Sequence, residues 1–276
     1  MKFRRWAIDH NARAFAFRAR PRLNAGMTVP AFVMVSMRPR GGHAGLRRGA
    51  ARHGGRVLAL SPWRLESDAG DAARQALRDT LQAPVVVFTS PAAVRTARAL
   101  QRLAARRDQT LVAVGEGTRR ALMAAGVDTA IAPTRMDSEG VLALPALAGL
   151  GCGDRVGLVS APGGRGEIAR LLAERGVDIV RADVYRRVPL ALSRVQLGRL
   201  QAALAGHAPV YLALSSGAAF DQVWAQLPTG LQRELLDARV VAASARLAHH
   251  ARRHGFMDVV VAASARPGDL LAAIER

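Results

Sequence analysis

The chain has 276 residues, of which 50% are hydrophobic, 4% are aromatic and one is a cysteine, and its formal net charge is +19 at pH 7. This length suits one large or two ordinary domains with real hydrophobic cores. The single cysteine, Cys152, excludes an intramolecular disulfide and a Cys-x-x-Cys metal site, and it fits a reducing compartment. No uncharged apolar run is long enough to span a bilayer, so neither a transmembrane helix nor a membrane partner is predicted.

The positive charge is typical of nucleic-acid-binding proteins. However, Lys2 is the only lysine, and the arginines are spread over many predicted helices instead of forming one block. Aromatic side chains that stack on bases are scarce. A solvated arginine surface is therefore the favoured interpretation, and no nucleic-acid partner is expected. If the protein did bind nucleic acid, its binding to DNA or RNA would be tight and steeply salt-dependent. A small polyanionic substrate is also compatible with the positive charge.

The N-terminal segment differs in composition from the rest of the chain. Residues 1–26 contain seven lysines and arginines against one acidic residue, Asp9, and no apolar stretch of signal-peptide length. We expect residues 1–30 to form a disordered N-terminal extension.

The hydrophobic pattern predicts short strands that alternate with helices of roughly ten residues. The predicted strands are residues 31–36, 56–60, 85–88, 111–114, 129–132, 155–159, 177–185, 210–214, 240–243 and 259–262. The predicted helices are residues 43–53, 71–81, 94–107, 118–125, 138–150, 167–175, 193–205, 218–226, 245–254 and 267–274. Pro62 and Trp63 interrupt the pattern. This alternation predicts parallel sheets that are covered by helices on both faces.

The sequence nearly repeats itself once, about 125 positions further along. The matching segments are residues 83–93 and 208–219, residues 41–57 and 163–179, and residues 112–126 and 241–255. Three matches in the same order indicate a duplication and therefore two similar lobes. A cleft between two lobes is a usual place for a ligand.

Several predicted strands end in a small or hydroxyl residue directly before a helix. These residues are Ser36, Thr89, Ser90, Gly115, Ser160, Ser215, Ser216 and Ser244. The carboxyl ends of parallel strands share one edge of a sheet, where ligands bind, and helix N-termini at that edge attract carboxylates or phosphates. An ordinary helix N-cap is the alternative role for any one of them.

Strong catalytic motifs are absent from the sequence. It contains no Walker loop, no glycine motif for a dinucleotide and no nucleophile elbow. The last third of the chain contains four histidines, His207, His249, His250 and His254. No carboxylate stands at a metal-site spacing from them, so we predict no metal site and interpret them as surface helix residues. Tyr185 stands beside Arg186 and Arg187 and is either a general acid or a residue that packs at the lobe junction with its hydroxyl hydrogen-bonded.

Taken together, these residues resemble the uroporphyrinogen-III synthase family over residues 32–274. The resemblance is carried, in order, by Phe88-Thr89-Ser90, Val114-Gly115 with Thr118, residues 137–142, Gly163-Gly164-Arg165, Tyr185-Arg186-Arg187-Val188-Pro189 and Arg246-Leu247-Ala248. It implies two α/β lobes, each a parallel sheet flanked by helices, joined by a two-stranded connection. Residues 31–62 and 187–276 would form lobe 1, and residues 63–186 would form lobe 2.

The resemblance also implies a reaction, in which hydroxymethylbilane is cyclised to uroporphyrinogen III with inversion of ring D and loss of water, without cofactor or metal. Tyr185 matches the tyrosine that assists loss of the hydroxyl, and we expect a cytoplasmic monomer. The candidate substrate-binding residues are Arg38, Thr89, Ser90, Gly115, Thr118, Gly163, Gly164, Arg165, Ser215, Ser216, Ser244 and Arg246. The alternative is a non-catalytic two-lobed binding protein or sensor for a small polyanionic ligand, which would keep the cleft and lack turnover.

Overall fold

The computed structural model describes residues 30–135, 138–163 and 166–275, so nearly all of the predicted N-terminal extension lies outside the described residues. The strands of the described part are β1 (Val33–Ser36), β2 (Arg56–Ala59), β3 (Trp63–Ser67), β4 (Val85–Phe88), β5 (Thr110–Ala113), β6 (Arg155–Ser160), β7 (Asp178–Asp183), β8 (Tyr185–Pro189), β9 (Val210–Leu214), β10 (Arg239–Ala242) and β11 (Val259–Val261).

The helices alternate with these strands along most of the chain. They are α1 (Ala44–Arg52), α2 (Asp71–Thr80), α3 (Pro91–Leu100), α4 (Glu116–Ala124), α5 (Ser138–Leu142), α6 (Pro145–Ala148), α7 (Gly166–Glu174), α8 (Arg194–Leu204), α9 (Gly217–Trp224), α10 (Thr229–Leu235), α11 (Ala245–Arg253) and α12 (Pro267–Ala272).

The strands form two parallel sheets and one antiparallel ribbon. The five-stranded sheet has the order β11-β10-β9-β1-β2, the four-stranded sheet has the order β5-β4-β6-β7, and the ribbon pairs β3 with β8. The five-stranded sheet therefore combines both ends of the chain, while the middle of the chain forms the four-stranded sheet. This confirms the expected α/β architecture of two similar lobes joined by a two-stranded connection. The residue boundaries of the two lobes stay a prediction.

The internal repeat agrees with the order of the strands. The three pairs of similar segments relate β4 to β9, β5 to β10 and β7 to β2, so the order β5-β4-β6-β7 corresponds to β10-β9-β1-β2. Matching glycines also share a conformation: Gly126 follows α4 with φ 90° and Gly255 follows α11 with φ 99°. Glycine adopts this left-handed conformation at the end of a helix at little cost. The two lobes thus use the same strand–helix unit.

Each parallel sheet is buried on both faces because alternate side chains of a strand point to opposite sides. In β1, Val35 belongs to one apolar cluster and Met34 to another. In β4, Val86 and Val87 are divided between two clusters in the same way. Helices cover both faces, as the continuous apolar strands predict.

The family resemblance implied the ribbon, but the hydrophobic pattern did not predict its two strands. Residues 63–67 form β3, where the sequence suggested only an interruption, and the predicted strand 177–185 divides into β7 and β8. Trp63 pairs with Pro189 and Ser67 with Tyr185 in antiparallel register. A two-stranded ribbon forms only when both segments meet, and they stand about 120 positions apart in the sequence.

Two of the predicted helices also need correction. The helix predicted over residues 94–107 ends at Leu100, because the chain then becomes irregular and buries Leu103 in the core of the four-stranded lobe. The helix predicted over residues 138–150 divides into α5 and α6, because Pro145 forces Leu144 into an extended conformation (ψ 139°). Helix α10 was not predicted, and residues 129–132 contribute only an isolated bridge between Val112 and Ile131.

Candidate functional site

The structure gathers the predicted hydroxyl and small residues at the carboxyl edges of the two parallel sheets. In the five-stranded sheet these are Ser36 at the end of β1, Ser215 and Ser216 after β9, and Ser244 after β10. In the four-stranded sheet they are Thr89 and Ser90 after β4, Gly115 after β5, and Ser160 at the end of β6. Because the strands within each sheet are parallel, each set lies along one edge.

The ribbon connects these two edges. Strand β2 leads through residues 60–62 into β3, and the backbone N–H of Arg40, just after β1, donates to the Trp63 carbonyl at 3.0 Å. At the other end β7 leads directly into β8, and the Asp68 N–H donates to the Val184 carbonyl at 2.9 Å. Five residue pairs separate the two ends, which corresponds to about 13 Å at ~3.3 Å per step. Each carboxyl edge thus lies where its lobe meets the ribbon.

Tyr185 lies at this junction in the four-stranded lobe. It is only 5% exposed, its ring belongs to the apolar core, and its hydroxyl is 3.1 Å from Ser90 Oγ. Ser90 Oγ also accepts a hydrogen bond from the Ala93 N–H at 3.0 Å and caps α3. The ring is packed at the lobe junction and its hydroxyl is hydrogen-bonded, as one of the two interpretations expected, while the role of general acid stays a prediction.

A second pair of hydroxyls continues this edge. The Thr89 hydroxyl donates to Ser160 Oγ at 3.0 Å, and the Thr89 N–H donates to the Val159 carbonyl at 3.1 Å. Ser160 is buried, whereas Thr89 is half-buried. These bonds join the carboxyl ends of β4 and β6 and fix the position from which Ser90 reaches Tyr185.

In the five-stranded lobe, a buried histidine lies beside the carboxyl edge of the sheet. His43 is 3% exposed, its Nδ1 is 3.0 Å from Ser36 Oγ, and its Nε2 is 2.8 Å from Ser61 Oγ. Burial, followed by the positive charges of Arg47 and Arg38, lowers the pKa of His43 to about 4. The imidazole is therefore neutral at pH 7 and joins β1 to the segment that follows β2. The sequence analysis did not single out His43, because its partners stand 7 and 18 positions away.

The helix N-termini at the two edges are not equivalent. Ser216 Oγ accepts from the Ala219 N–H and caps α9, and Ser244 Oγ accepts from the Leu247 N–H and caps α11. Ser215, one position earlier, is half-buried.

Helix α4 begins differently, since Gly115 occupies its N-cap without a side-chain bond and Thr118 is buried. Glu116 occupies the first turn, and hydrogen bonds from Arg119 and then Arg120 hold the pKa of its carboxyl at about 2. This fixed anion competes with a carboxylate ligand at α4, so α9 and α11 are better suited to bind one.

The predicted arginines and glycines have different environments. The Arg38 guanidinium donates to the Ala265 carbonyl, and burial lowers its pKa, whereas Arg246 is an exposed residue in the first turn of α11. Gly163 is exposed and has φ 64°. Gly164 and Arg165 lie outside the described residues.

A profile of the family described as "Uroporphyrinogen-III synthase HemD" matches residues 45–272 of this chain. The chain belongs to the uroporphyrinogen-III synthase family. A uroporphyrinogen-III synthase of Salmonella typhimurium is 29% identical over 167 residues, and that of Escherichia coli is 30% identical over 166 residues. Each alignment covers 59% of this chain and 65% of the relative, so the match spans less than two thirds of those proteins.

Solved uroporphyrinogen III synthases share the fold. The structure of a mutant enzyme from the extremely thermophilic bacterium Thermus thermophilus aligns with a TM-score of 0.57 at 19% identity and covers 89% of this chain and 98% of its own. The Helicobacter pylori structure aligns with a TM-score of 0.52 at 14% identity and covers 87% of this chain and 96% of its own. At these identities the likeness shows the fold alone.

Among the described residues, the helices are all too short or too polar to cross a membrane.

A surface groove of about 470 Å³ lies between α8 and α10 and is lined by Gln201, Leu204 and Glu234 among others. None of the predicted site residues lines this groove. The carboxyl edges beside the ribbon therefore remain the candidate site.

Proposed function

We propose that this chain cyclises hydroxymethylbilane to uroporphyrinogen III, with inversion of ring D and loss of water, in tetrapyrrole biosynthesis. Membership of the family supports the reaction. The observation that carries the proposal is the contact of Tyr185 with Ser90 at the carboxyl edge beside the ribbon. We further propose that the enzyme acts as a cytoplasmic monomer, with residues 31–62 and 187–276 in one lobe and residues 63–186 in the other.

The substrate lies between the two lobes in this proposal. Its carboxylates take hydrogen bonds from the free N–H groups at the start of α3, α9 and α11, where the helix dipole favours negative charge. Thr89, Ser90, Ser215, Ser216 and Ser244 line these positions, and Arg246 supplies a positive charge at the start of α11. The further substrate contacts assigned from the family are Arg38, Gly115, Thr118, Gly163, Gly164 and Arg165.

Tyr185 assists the loss of the substrate hydroxyl. Ser90 Oγ already accepts the Ala93 N–H, so its own proton is free to point to the Tyr185 oxygen. In that arrangement the phenol proton is free to be donated to the departing hydroxyl, which leaves as water. Because hydroxymethylbilane is already reactive, holding its chain in the geometry that favours ring inversion contributes most of the selectivity.

A cyclisation assay tests the proposal. Freshly generated hydroxymethylbilane is incubated with the full chain, the product is oxidised, and the type III and type I isomers are separated by chromatography. We expect mostly isomer III, in proportion to the protein added. Isomer I alone from folded protein would contradict the proposal and favour the non-catalytic binding protein.

A further inference from the structure

The structure brings together three potential metal ligands, two histidines four positions apart and an aspartate 29 positions before the first of them. His250 lies in the last turn of α11, His254 is the C-cap residue of that helix, and Asp221 lies on the neighbouring helix α9. Asp221 Oδ1 is 2.7 Å from His250 Nε2 and 3.5 Å from His254 Nε2. One ligand atom from each residue lies within 4.8 Å of the others. The sequence interpretation of these histidines as surface residues missed this group, because the carboxylate comes from another helix.

We propose that Asp221, His250 and His254 bind a divalent transition-metal ion, with Zn²⁺ as the reference ion, and thereby link α9 to α11. Two imidazoles and one carboxylate are a donor set that suits such ions, and water completes the coordination. At metal–ligand distances of about 2.0–2.1 Å, tetrahedral ligand atoms lie about 3.4 Å apart, so small rotations of these side chains are sufficient.

The surroundings hold the imidazoles in place without closing the site. The Phe220 ring is 4.8 Å from the His254 ring and 5.6 Å from the His250 ring, and the Trp224 ring is 5.6 Å from the His254 ring. These contacts limit the directions in which the nitrogens point, so less freedom is lost on binding. The side chain of Asp221 is 50% exposed, while those of His250 and His254 are 16% and 28% exposed. An ion can therefore reach the ligands from solvent.

Arg253 competes with the ion at this site. Its Nη2 is 3.2 Å from His250 Nδ1, which then accepts a hydrogen bond and leaves the proton of neutral His250 on Nε2, facing Asp221. Metal binding through Nε2 moves that proton to Nδ1 and ends the bond from Arg253. Arg253 is exposed on a long side chain and can turn into solvent. Its removal should favour the metal-bound form.

Metal titration of the full chain tests the site. The Cys152→Ser background removes an exposed thiol that would bind the same ions. Co²⁺ absorption and competition by Zn²⁺ measure affinity in this background and in Asp221→Asn, His250→Gln and His254→Gln. The matched control is His249→Gln, which changes an exposed histidine on the same helix outside the group. Circular dichroism verifies that each variant is folded.

We expect one high-affinity ion per chain, a loss on the order of 100-fold or more in each of the three ligand variants, and unchanged affinity in His249→Gln. Arg253→Ala should tighten binding roughly 3-fold, the size of an exposed charge interaction. Affinity that is weak in the parent, or that survives all three ligand substitutions, would overturn the proposal.

A second measurement does not depend on the variants. In the Cys152→Ser protein, Zn²⁺ should slow amide hydrogen exchange in α9 and α11, because an ion that links the two helices suppresses their local opening. Unchanged exchange in these two helices at saturating Zn²⁺ would likewise refute the link. Both readouts are independent of the cyclisation reaction, so a failed metal site leaves the proposed function intact.

Discussion

At the scale of single residues, His43 couples the stability of the five-stranded lobe to pH. Its imidazole is buried between Ser36 and Ser61, and burial lowers its pKa to about 4, whereas an exposed histidine has a pKa of about 6.5. Between these two values the unfolded chain binds more protons than the folded one. Stability is therefore lost as the pH falls from 6.5 towards 4.

Replacement of His43 should remove this pH dependence. Each pKa unit corresponds to about 1.4 kcal/mol. The shift of His43 therefore lowers the free energy of unfolding by an amount on the order of 3 kcal/mol between pH 6.5 and 4. In His43→Gln the free energy of unfolding should fall less steeply between pH 6.5 and 4, as measured by urea denaturation at several pH values. Parallel curves for the two proteins would contradict the assignment.

Tyr185 is the residue on which turnover should depend most directly. Tyr185→Phe removes only the hydroxyl that contacts Ser90, so the core packing of the ring is kept. We expect kcat to fall clearly, by up to about 100-fold, which is the smallest effect usual for general acid catalysis. KM should stay nearly unchanged. Tyr211→Phe is the control, because Tyr211 is the other tyrosine of the sequence. Tyr211 lies in β9 and packs against Phe32. Unchanged kcat in Tyr185→Phe would exclude the hydroxyl from the mechanism.

At the scale of the elements, the turn from strand to helix is the repeated structural unit. Ser90, Ser216 and Ser244 each cap the helix that follows a strand, and each accepts the N–H three residues later. A cap of this kind stabilises a helix by about 1 kcal/mol and also directs free N–H groups towards a ligand. The same side chain thus serves stability and the proposed binding of carboxylates.

Alanine at two of these caps should separate binding from stability. Ser216→Ala and Ser244→Ala should each cost about 1 kcal/mol of stability and raise KM in the cyclisation assay. Ser193→Ala breaks the capping box of α8, which carries no predicted substrate contact, so it should cost a similar amount while KM stays constant. An equal rise in KM in all three variants would indicate a general loss of structure.

At the scale of the whole molecule, the ribbon is the connection between the two lobes. Two strands of five residues join the lobes, and the pairing is reinforced by Arg186 with Glu66 at 2.9 Å and by Arg187 over the Trp63 ring at 5.2 Å. We expect the lobes to rotate as rigid bodies about a connection this narrow. Each carboxyl edge adjoins one end of the ribbon, so rotation about it changes the distance between the two edges.

Solution scattering should detect this closure. In the proposed binding mode a porphyrin analogue of the product contacts both edges, so we expect the radius of gyration to fall when it is added. A monopyrrole with the same carboxylate side chains occupies one edge at a time and should leave the radius unchanged. Identical scattering profiles with and without the porphyrin, at saturating concentration, would contradict closure.

Local sequence patterns were sufficient to predict the alternation of strands and helices, the two similar lobes and the edges at which the hydroxyl residues lie. These features follow from local patterns, because apolar runs, helix caps and the glycines that end helices act within a few residues. The internal repeat shows each of these patterns twice. The pairing register of the ribbon became visible only in the folded structure, as did the bond between Tyr185 and Ser90, the His43 cluster and the approach of Asp221 to His250 and His254. Each of these joins segments from different elements, and their contacts depend on packing that no local pattern encodes.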